Sequence, residues 1–196
     1  SSNLWVNLFI MVLCAPVAEE LIFRKLLIDR LVQYGEGVAV LFSGLMFGLF
    51  HGNLNQFVYA FVLGLCFGFI YVKTGNIRYT IGLHMLVNFL GSVLGVAILK
   101  WLGDDFLSVA SDPAGMMSYM TGNFGKLIVY FIYIFLLLGV AIAGIILFIV
   151  NLKKIRFQPG MNTIPKGKRF STTVLNVGMA LYMIVWIVII IVQLLQ

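Results

Sequence analysis

Long stretches without a charged residue constrain this chain more than any other feature. Each of them is rich in Leu, Ile, Val or Phe. A helix needs about 20 apolar residues to cross a bilayer, and backbone polar groups in hydrocarbon must be satisfied within the helix itself. The sequence therefore predicts an all-α, polytopic transmembrane helix bundle. The stretches are residues 1–18, 37–50, 56–72, 79–99, 127–152 and 170–196.

The composition excludes a soluble protein. Hydrophobic residues make up 62% of the chain and charged residues only 10%, whereas soluble domains are about a quarter charged. The net charge of +6 is explained by membrane topology and by contact with anionic lipid, so nucleic-acid binding is not expected. The lipid bilayer is the expected surrounding of most of the chain, and the expected location is the cell membrane.

We predict about six membrane helices, with a tightly packed catalytic core of four. The first helix is too long for one straight span, so we expect an apolar half followed by an amphipathic half at the membrane surface. Residues 4–100 form the predicted core, 101–124 an extracytoplasmic loop, and 125–196 two further helices joined by a basic loop. The predicted helices are 4–33, 37–53, 56–73, 78–100, 125–151 and 170–194.

Lys and Arg predict the orientation, because cytoplasmic loops carry an excess of both. The segment 152–169 is strongly basic, so we place it in the cytoplasm. With six helices, eleven of the thirteen basic residues fall on that side. Those in the basic loop are Lys153, Lys154, Arg156, Lys166, Lys168 and Arg169.

Pairs of glycines four residues apart occur in the second, third and fourth predicted helices. This spacing places both glycines on one face and lets helix backbones approach closely. We expect close packing among helices one to four, with helices five and six more peripheral. The pairs are Gly44 and Gly48, Gly64 and Gly68, and Gly91 and Gly95.

The two cysteines and the start of the chain carry little functional information. Cys14 and Cys66 lie in apolar stretches, and their spacing supports neither a disulfide nor a metal site. The chain begins Ser1-Ser2-Asn3 without an initiator Met. We therefore expect a trimmed chain that lacks upstream helices.

Two glutamates on the first helix stand where apolar residues are expected, at Glu19 and Glu20. An ionisable group at membrane depth costs several kcal/mol unless it is paired or hydrated, so the default interpretation is functional. Glu20 and Arg24 are four residues apart and can form an ion pair on one helix face. Glu19 is rotated by about 100° from Glu20, lacks a cation on its own helix, and suits a general base for water.

The only two histidines also lie in apolar stretches, at positions 51 and 84. Phe47 and His51 are four residues apart on the second helix, so the phenyl ring can hold the imidazole. His84 and Asn88 have the same spacing on the fourth helix and project together. Taken singly, each histidine could be an ordinary packed residue bonded to a carbonyl, and only the combination indicates a site.

Together these three motifs resemble the CAAX protease and bacteriocin-processing family, which includes the type II CAAX prenyl endopeptidases. The family pattern is a pair of glutamates followed by Arg, then Phe and His, then His and Asn, on separate membrane helices. The resemblance covers roughly residues 10–100, and every motif position carries the residue of the family pattern. The matching residues are Glu19, Glu20, Arg24, Phe47, His51, His84 and Asn88.

The resemblance implies hydrolysis of a peptide bond inside the membrane, with a peptide or membrane protein as substrate. The resemblance also implies that Glu19 and His51 activate the water and that His84 and Asn88 stabilise the oxyanion. Glu20, paired with Arg24, would then support the site. A zinc site is the alternative, with His51, His84 and either Glu19 or Glu20 as ligands. Asn88 is a poor zinc ligand and the zinc motif H-E-x-x-H is absent, so we favour an enzyme without a cofactor.

Two other functions remain open at this point. A membrane protein of the same family could be a non-catalytic immunity or regulatory protein that binds a partner. Buried Glu and His also suit a proton relay in a transporter, which would predict inverted repeats, and we see no convincing repeat. The substrate, whether a bacteriocin, a pheromone or another peptide, and the oligomeric state do not follow from the sequence.

Overall fold

The computed structural model describes residues 3–162, 164–168, 171–172 and 175–195. This part of the chain is helical with irregular connections and contains no strand, which confirms the all-α prediction. We number the helices α1 to α7 along the chain. They are α1 Leu4–Tyr34, α2 Glu36–Phe50, α3 Leu54–Thr74, α4 Ile77–Leu102, α5 Asp104–Val109, α6 Pro113–Lys154 and α7 Val177–Leu194.

Five of these helices, within the ranges just given, are long and apolar enough to cross a membrane: α1, α3, α4, α6 and α7. Helix α2 is apolar but has only 15 residues, or about 22 Å at 1.5 Å per residue, which is less than a hydrocarbon core of about 30 Å. The predicted start of the last helix at 170, and Arg169 of the basic loop, lie outside the described residues.

Helix α1 is continuous over 31 residues and contains two stretches of wider, π-helical hydrogen bonding. The first, Asn7–Cys14, ends two residues before Pro16, and the second, Leu21–Ile28, directly follows Glu20. Proline removes a backbone donor and its ring crowds the carbonyl four residues earlier, which distorts the preceding turn. Short π-helical segments are frequent at functional sites.

The segment 101–124, predicted to be an extracytoplasmic loop, is largely helical. Helix α5 occupies part of it, and α6 begins at Pro113. The carboxylate of Asp112 accepts hydrogen bonds from the N–H groups of Ala114 and Gly115 at 3.1 and 3.0 Å. Such a cap followed by Pro starts a helix. Residue Asn123 then has non-helical backbone angles and kinks α6, close to the predicted helix start at 125.

The chain divides into two compact units, and α1 and α4 each contribute residues to both. The first unit comprises Ser1–Cys14 and Met85–Arg156, and the second comprises Ala15–His84 and Phe157–Gln196. In the first unit, the buried side chains of Leu102, Phe106 and Leu127 form an apolar cluster.

In the second unit, α2 and α3 pack through the predicted glycines. A Cβ atom added to Gly64 would lie 2.8 Å from the Cα of Gly44, and one added to Gly48 would lie 3.0 Å from the Cβ of Phe61. The prediction of close packing is confirmed for these helices. It fails at Gly91, where an added Cβ would meet no described atom within 4 Å.

We expect Gly64→Ala to destabilise the protein by about 1–3 kcal/mol, because the added methyl group meets backbone that cannot move aside as a side chain could. The measurement is unfolding in a detergent mixture of increasing SDS content, followed by circular dichroism. Gly144→Ala is the matched control, since no described atom lies within 4 Å of its added Cβ. Equal stability of the two variants would contradict the predicted contact.

Helix α7 also belongs to the second unit and packs against α2. The hydroxyl of Tyr182 donates to the carbonyl oxygen of Met46 at 2.7 Å, and the ring of Trp186 lies 5.2 Å from that of Phe50. Most of α7 is nevertheless exposed, with only Met179 buried among its residues, so these contacts do not contradict the predicted peripheral position of the last helix. Hydropathy could not have found this contact, because apolar residues facing lipid and those facing protein have the same composition.

Part of the basic loop packs on the turn between α1 and α2. The N–H of Glu36 donates to the carbonyl of Gln158 at 3.1 Å, and the N–H of Asn162 donates to the carbonyl of Gln33 at 2.9 Å. The carboxylate of Glu36 also pairs with Lys73 at the end of α3. These three segments therefore lie together, as the charge pattern requires if all are on one side of the membrane.

Candidate active site

An ion pair buried inside the second unit anchors the site. Glu20 and Arg24 are both 0% exposed, and Nε of Arg24 lies 3.0 Å from a carboxylate oxygen of Glu20. The pair predicted from the four-residue spacing is present, although its alignment is not that of a hydrogen bond. Nη1 of Arg24 donates to the hydroxyl of Ser43 at 3.3 Å, and this hydroxyl donates to the carbonyl of Phe23 at 2.9 Å.

His84 lies against both glutamates of α1. Its Nδ1 lies 3.1 Å from Oε1 of Glu20 and its Nε2 lies 3.7 Å from Oε2 of Glu19. The imidazole is 4% exposed, so its orientation is set by these two carboxylates rather than by solvent. Since Arg24 faces the other oxygen of Glu20, Glu20 connects the cation to the imidazole. Glu20 therefore orients His84 in addition to pairing with Arg24, a contact that the spacing alone did not predict.

Glu19 is the more accessible of the two glutamates. Its side chain is 18% exposed, compared with 0% for Glu20. Both histidines interact with it electrostatically. A carboxylate that keeps some exposure beside two imidazoles can reach both water and a substrate, as a general base must.

Phe47 connects the two histidines. Its ring lies 4.9 Å from that of His51 and 5.5 Å from that of His84, edge to face in both cases. The guanidinium of Arg24 lies 4.6 Å over the same ring, within the range of a cation–π contact. The predicted support of His51 by Phe47 is thus present, and Phe47 also contacts two further members of the site.

The imidazole of His51 is fixed at one nitrogen. Nδ1 lies 2.9 Å from the carbonyl oxygen of Phe47, and a carbonyl can only accept, so we assign the proton to Nδ1. His51 is the residue that ends α2, and its side chain is half-buried. The unprotonated Nε2 is then the nitrogen that can accept a proton.

Asn88 lies in the first unit, one helical turn after His84 on α4. Its amide nitrogen donates to the carbonyl oxygen of Met11 at 2.7 Å. An amide donor for an oxyanion would have to release this carbonyl, or use its second hydrogen, before it could bind substrate. The structure therefore brings Glu19, His51 and His84 into one unit and places Asn88 in the other.

Two buried side chains in the site were missed by the motif search. Ser43 is 0% exposed and holds Arg24, and the ring of Phe67 lies 5.5 Å from that of His84. A signal existed for Ser43, since it lies four residues before Phe47 and eight before His51 on one helix face. Phe67 had none, because an apolar residue in an apolar helix resembles all its neighbours.

The side chains do not fit the zinc site considered above. Among the described residues, no three His, Cys, Asp or Glu side chains are grouped so that they could hold a metal ion. The reaction proposed below therefore uses a carboxylate, and its independence of metal stays a prediction.

Comparison with known proteins agrees with the motifs. Residues 1–90 match the family model for the type II CAAX prenyl endopeptidase, Rce1-like. The predicted family resemblance is confirmed. All seven motif residues, from Glu19 to Asn88, lie inside this Rce1-like segment, which covers less than half of the 196 residues. Helices α5 to α7 lie outside it.

A curated relative gives the same indication. The protein named "Putative membrane peptidase YdiL", from Bacillus subtilis (strain 168), is 33% identical to this chain over 74 residues. The aligned region is 37% of this chain and 30% of that protein, so the chain spans less than a third of its relative. No solved structure matches the chain. Both comparisons therefore show similarity to membrane peptidases, and the first shows similarity to the CAAX type.

Proposed function

We propose that the protein is an intramembrane endopeptidase in which Glu19 activates the attacking water. The observation that carries this proposal is the arrangement of His84 between the two carboxylates, with Nε2 facing Glu19 and Nδ1 facing Glu20. A cluster of ionisable side chains is energetically costly inside a membrane protein, so its presence indicates a function. The Rce1-like segment supports peptide-bond hydrolysis as that function.

The proposed reaction needs one water molecule and one base. The carboxylate of Glu19 takes a proton from water as the water oxygen attacks the carbonyl carbon of the peptide bond. The resulting oxyanion is stabilised by donors, for which we propose the Nε2–H of His84 in its imidazolium form, whose Nδ1–H donates to Glu20, together with the amide of Asn88. The protonated Glu19 then delivers its proton to the leaving nitrogen, the C–N bond breaks, and an acid and an amine are released.

The free Nε2 of His51 supports a second role in proton movement. This nitrogen can accept hydrogen bonds because Nδ1 donates to a carbonyl. We propose that His51 orients the water or accepts its proton transiently, in cooperation with Glu19. Ring contacts with Phe47, at 4.9 Å, restrict the imidazole, and such restriction raises the fraction of productive orientations.

An apolar groove in the second unit supports an apolar peptide segment as the substrate. The groove has a volume of about 320 Å³ and runs beside Phe23 and Phe50. Phe23 is one helical turn from Glu19 on the same face of α1, and Phe50 precedes His51. A peptide with large apolar residues beside the cleaved bond would therefore be preferred. The lining residues are Ile22, Phe23, Leu26, Leu27, Arg30, Met46, Phe50 and Tyr182.

We expect peptide cleavage by the purified protein to persist in the presence of a strong chelator, because a carboxylate base needs no metal. The measurement uses detergent-solubilised protein, a library of apolar peptides, and mass spectrometry of the products with and without chelator. Loss of cleavage on chelation that added zinc restores would contradict a metal-free mechanism. The Glu19→Gln variant, purified in the same way, is the control for contaminating proteases, and cleavage by both proteins would contradict the proposed function.

A further inference from the structure

Helix α7 covers the end of α2 that carries His51. The ring of Trp186 lies 5.2 Å from the ring of Phe50 at an interplanar angle of 64°, a common edge-to-face arrangement. One turn earlier on α7, the hydroxyl of Tyr182 donates to the carbonyl of Met46 at 2.7 Å. Two residues of α7 thus contact the last turn of α2, directly before His51.

The turn that follows His51 is also closed by α7. Gly52 has a φ of +68°, a left-handed conformation that glycine adopts without steric cost. A Cβ atom on Gly52 would lie 3.3 Å from Cζ3 of Trp186 and 3.2 Å from Cγ2 of Ile189. The residues on both sides of His51, Phe50 and Gly52, therefore lie against α7.

These contacts matter because His51 stands at a helix end. Terminal helical residues fray more easily than interior ones, and the N–H of His51 makes a long bond of 3.3 Å to the carbonyl of Gly48. Fraying would move the imidazole away from the ring of Phe47. A large, rigid side chain packed against Phe50 and Gly52 opposes that motion.

We infer that Trp186 is a positioning residue for His51, and that α7, which lies outside the Rce1-like segment, completes the catalytic unit. This inference rests on the proposed function for its kinetic consequence. Trp186 acts through Phe50 and Gly52 and does not touch the reacting atoms. Its removal should therefore lower the rate of the chemical step more than the binding of peptide.

The test compares Trp186→Ala, Trp186→Phe and Val188→Ala in the full chain. Val188 is the matched control, because it lies on the same helix and is 52% exposed. We expect Trp186→Ala to lower kcat by about 10- to 100-fold with KM unchanged, Trp186→Phe to restore most of the loss, and Val188→Ala to behave as wild type. Unchanged kcat in folded Trp186→Ala would overturn the inference.

A second readout does not depend on activity. The sequence contains only two histidines, so selective ¹⁵N labelling of histidine gives one set of ring signals for each. We expect Trp186→Ala to shift the His51 signals and to leave those of His84 in place. If the His51 signals shift in Trp186→Ala but the wild-type protein has no peptidase activity, the positioning role is supported and the proposed function fails. Unchanged His51 signals would overturn the positioning role itself.

Should Trp186→Ala fail to fold, Tyr182→Phe and Trp186→Leu take its place. Tyr182→Phe removes only the hydrogen bond to Met46 and keeps the ring packed on α2. A shift of the His51 signals with a smaller loss of kcat would support the inference. Wild-type kcat and wild-type signals in both variants would overturn it.

Discussion

Replacing Glu19 with Gln is expected to lower the rate of peptide cleavage by about 10²- to 10⁴-fold, the usual contribution of a general base. Gln has the size and shape of Glu but cannot accept the proton from water. Nε2 of His84 lies 3.7 Å from a carboxylate oxygen of Glu19, which is too long for a hydrogen bond. The fold should therefore tolerate the change, and the loss should appear in kcat.

Both rate and folding must be measured for this prediction. Peptide cleavage gives kcat and KM, and unfolding in SDS mixtures gives the stability. Asp105→Asn is the control for loss of a carboxylate, since Asp105 is exposed in the first unit. If folded Glu19→Gln kept a tenth or more of the wild-type rate, Glu19 would not be the base. If a cellular function survived in it undiminished, a non-catalytic immunity or regulatory role would be favoured.

Local spacing predicted the parts of the site that lie on one helix. The pair of Glu20 with Arg24 and the contact of Phe47 with His51 both join residues four apart, and both are present. The geometry of an α-helix fixes such neighbours whatever the rest of the chain does. The same rule also places Ser43 on the helix face of His51, a residue that the motif search passed over.

Contacts between helices could not be predicted in the same way. Nothing in the local sequence indicates that His84 meets two glutamates of α1, or that Asn88 donates to the carbonyl of Met11. These contacts depend on how helices are arranged, and only the glycine pairs gave a signal for that. The prediction from the glycine pairs was correct for Gly44 and Gly64, because the absence of side chains lets the two helix backbones approach closely.

The membrane itself limits what hydropathy can reveal. In a soluble protein, an apolar residue is evidence of burial, but in a membrane protein the surface that faces lipid is apolar as well. Phe67 is 4% exposed and contacts His84, whereas Phe148 is 55% exposed, and both stand in uninterrupted apolar sequence. The spans were therefore predictable, while the docking of α7 and the packing around His84 were not.

Replacing Arg24 with Met is expected to destabilise the protein by about 3–5 kcal/mol, the cost of leaving one member of a buried ion pair without its partner. Arg24 and Glu20 are both 0% exposed, so water cannot replace the lost guanidinium. The change also removes the hydrogen bond to Ser43 and the cation–π contact with Phe47. Unfolding in SDS mixtures measures the loss, and Arg30→Met, at an exposed arginine, is the matched control.

A double substitution separates the charge from the shape. In Glu20→Gln with Arg24→Met, no unpaired carboxylate is left at position 20, so the double variant should be more stable than Arg24→Met alone. Replacing both members of a buried pair is often nearly neutral, whereas removing one is not. A double variant less stable than the single one would show that Arg24 acts mainly by filling space between Phe47 and Phe67. The predicted order of stabilities would instead show that the pair acts through its charges. Arg24 is then needed because Glu20 must stay buried to hold His84.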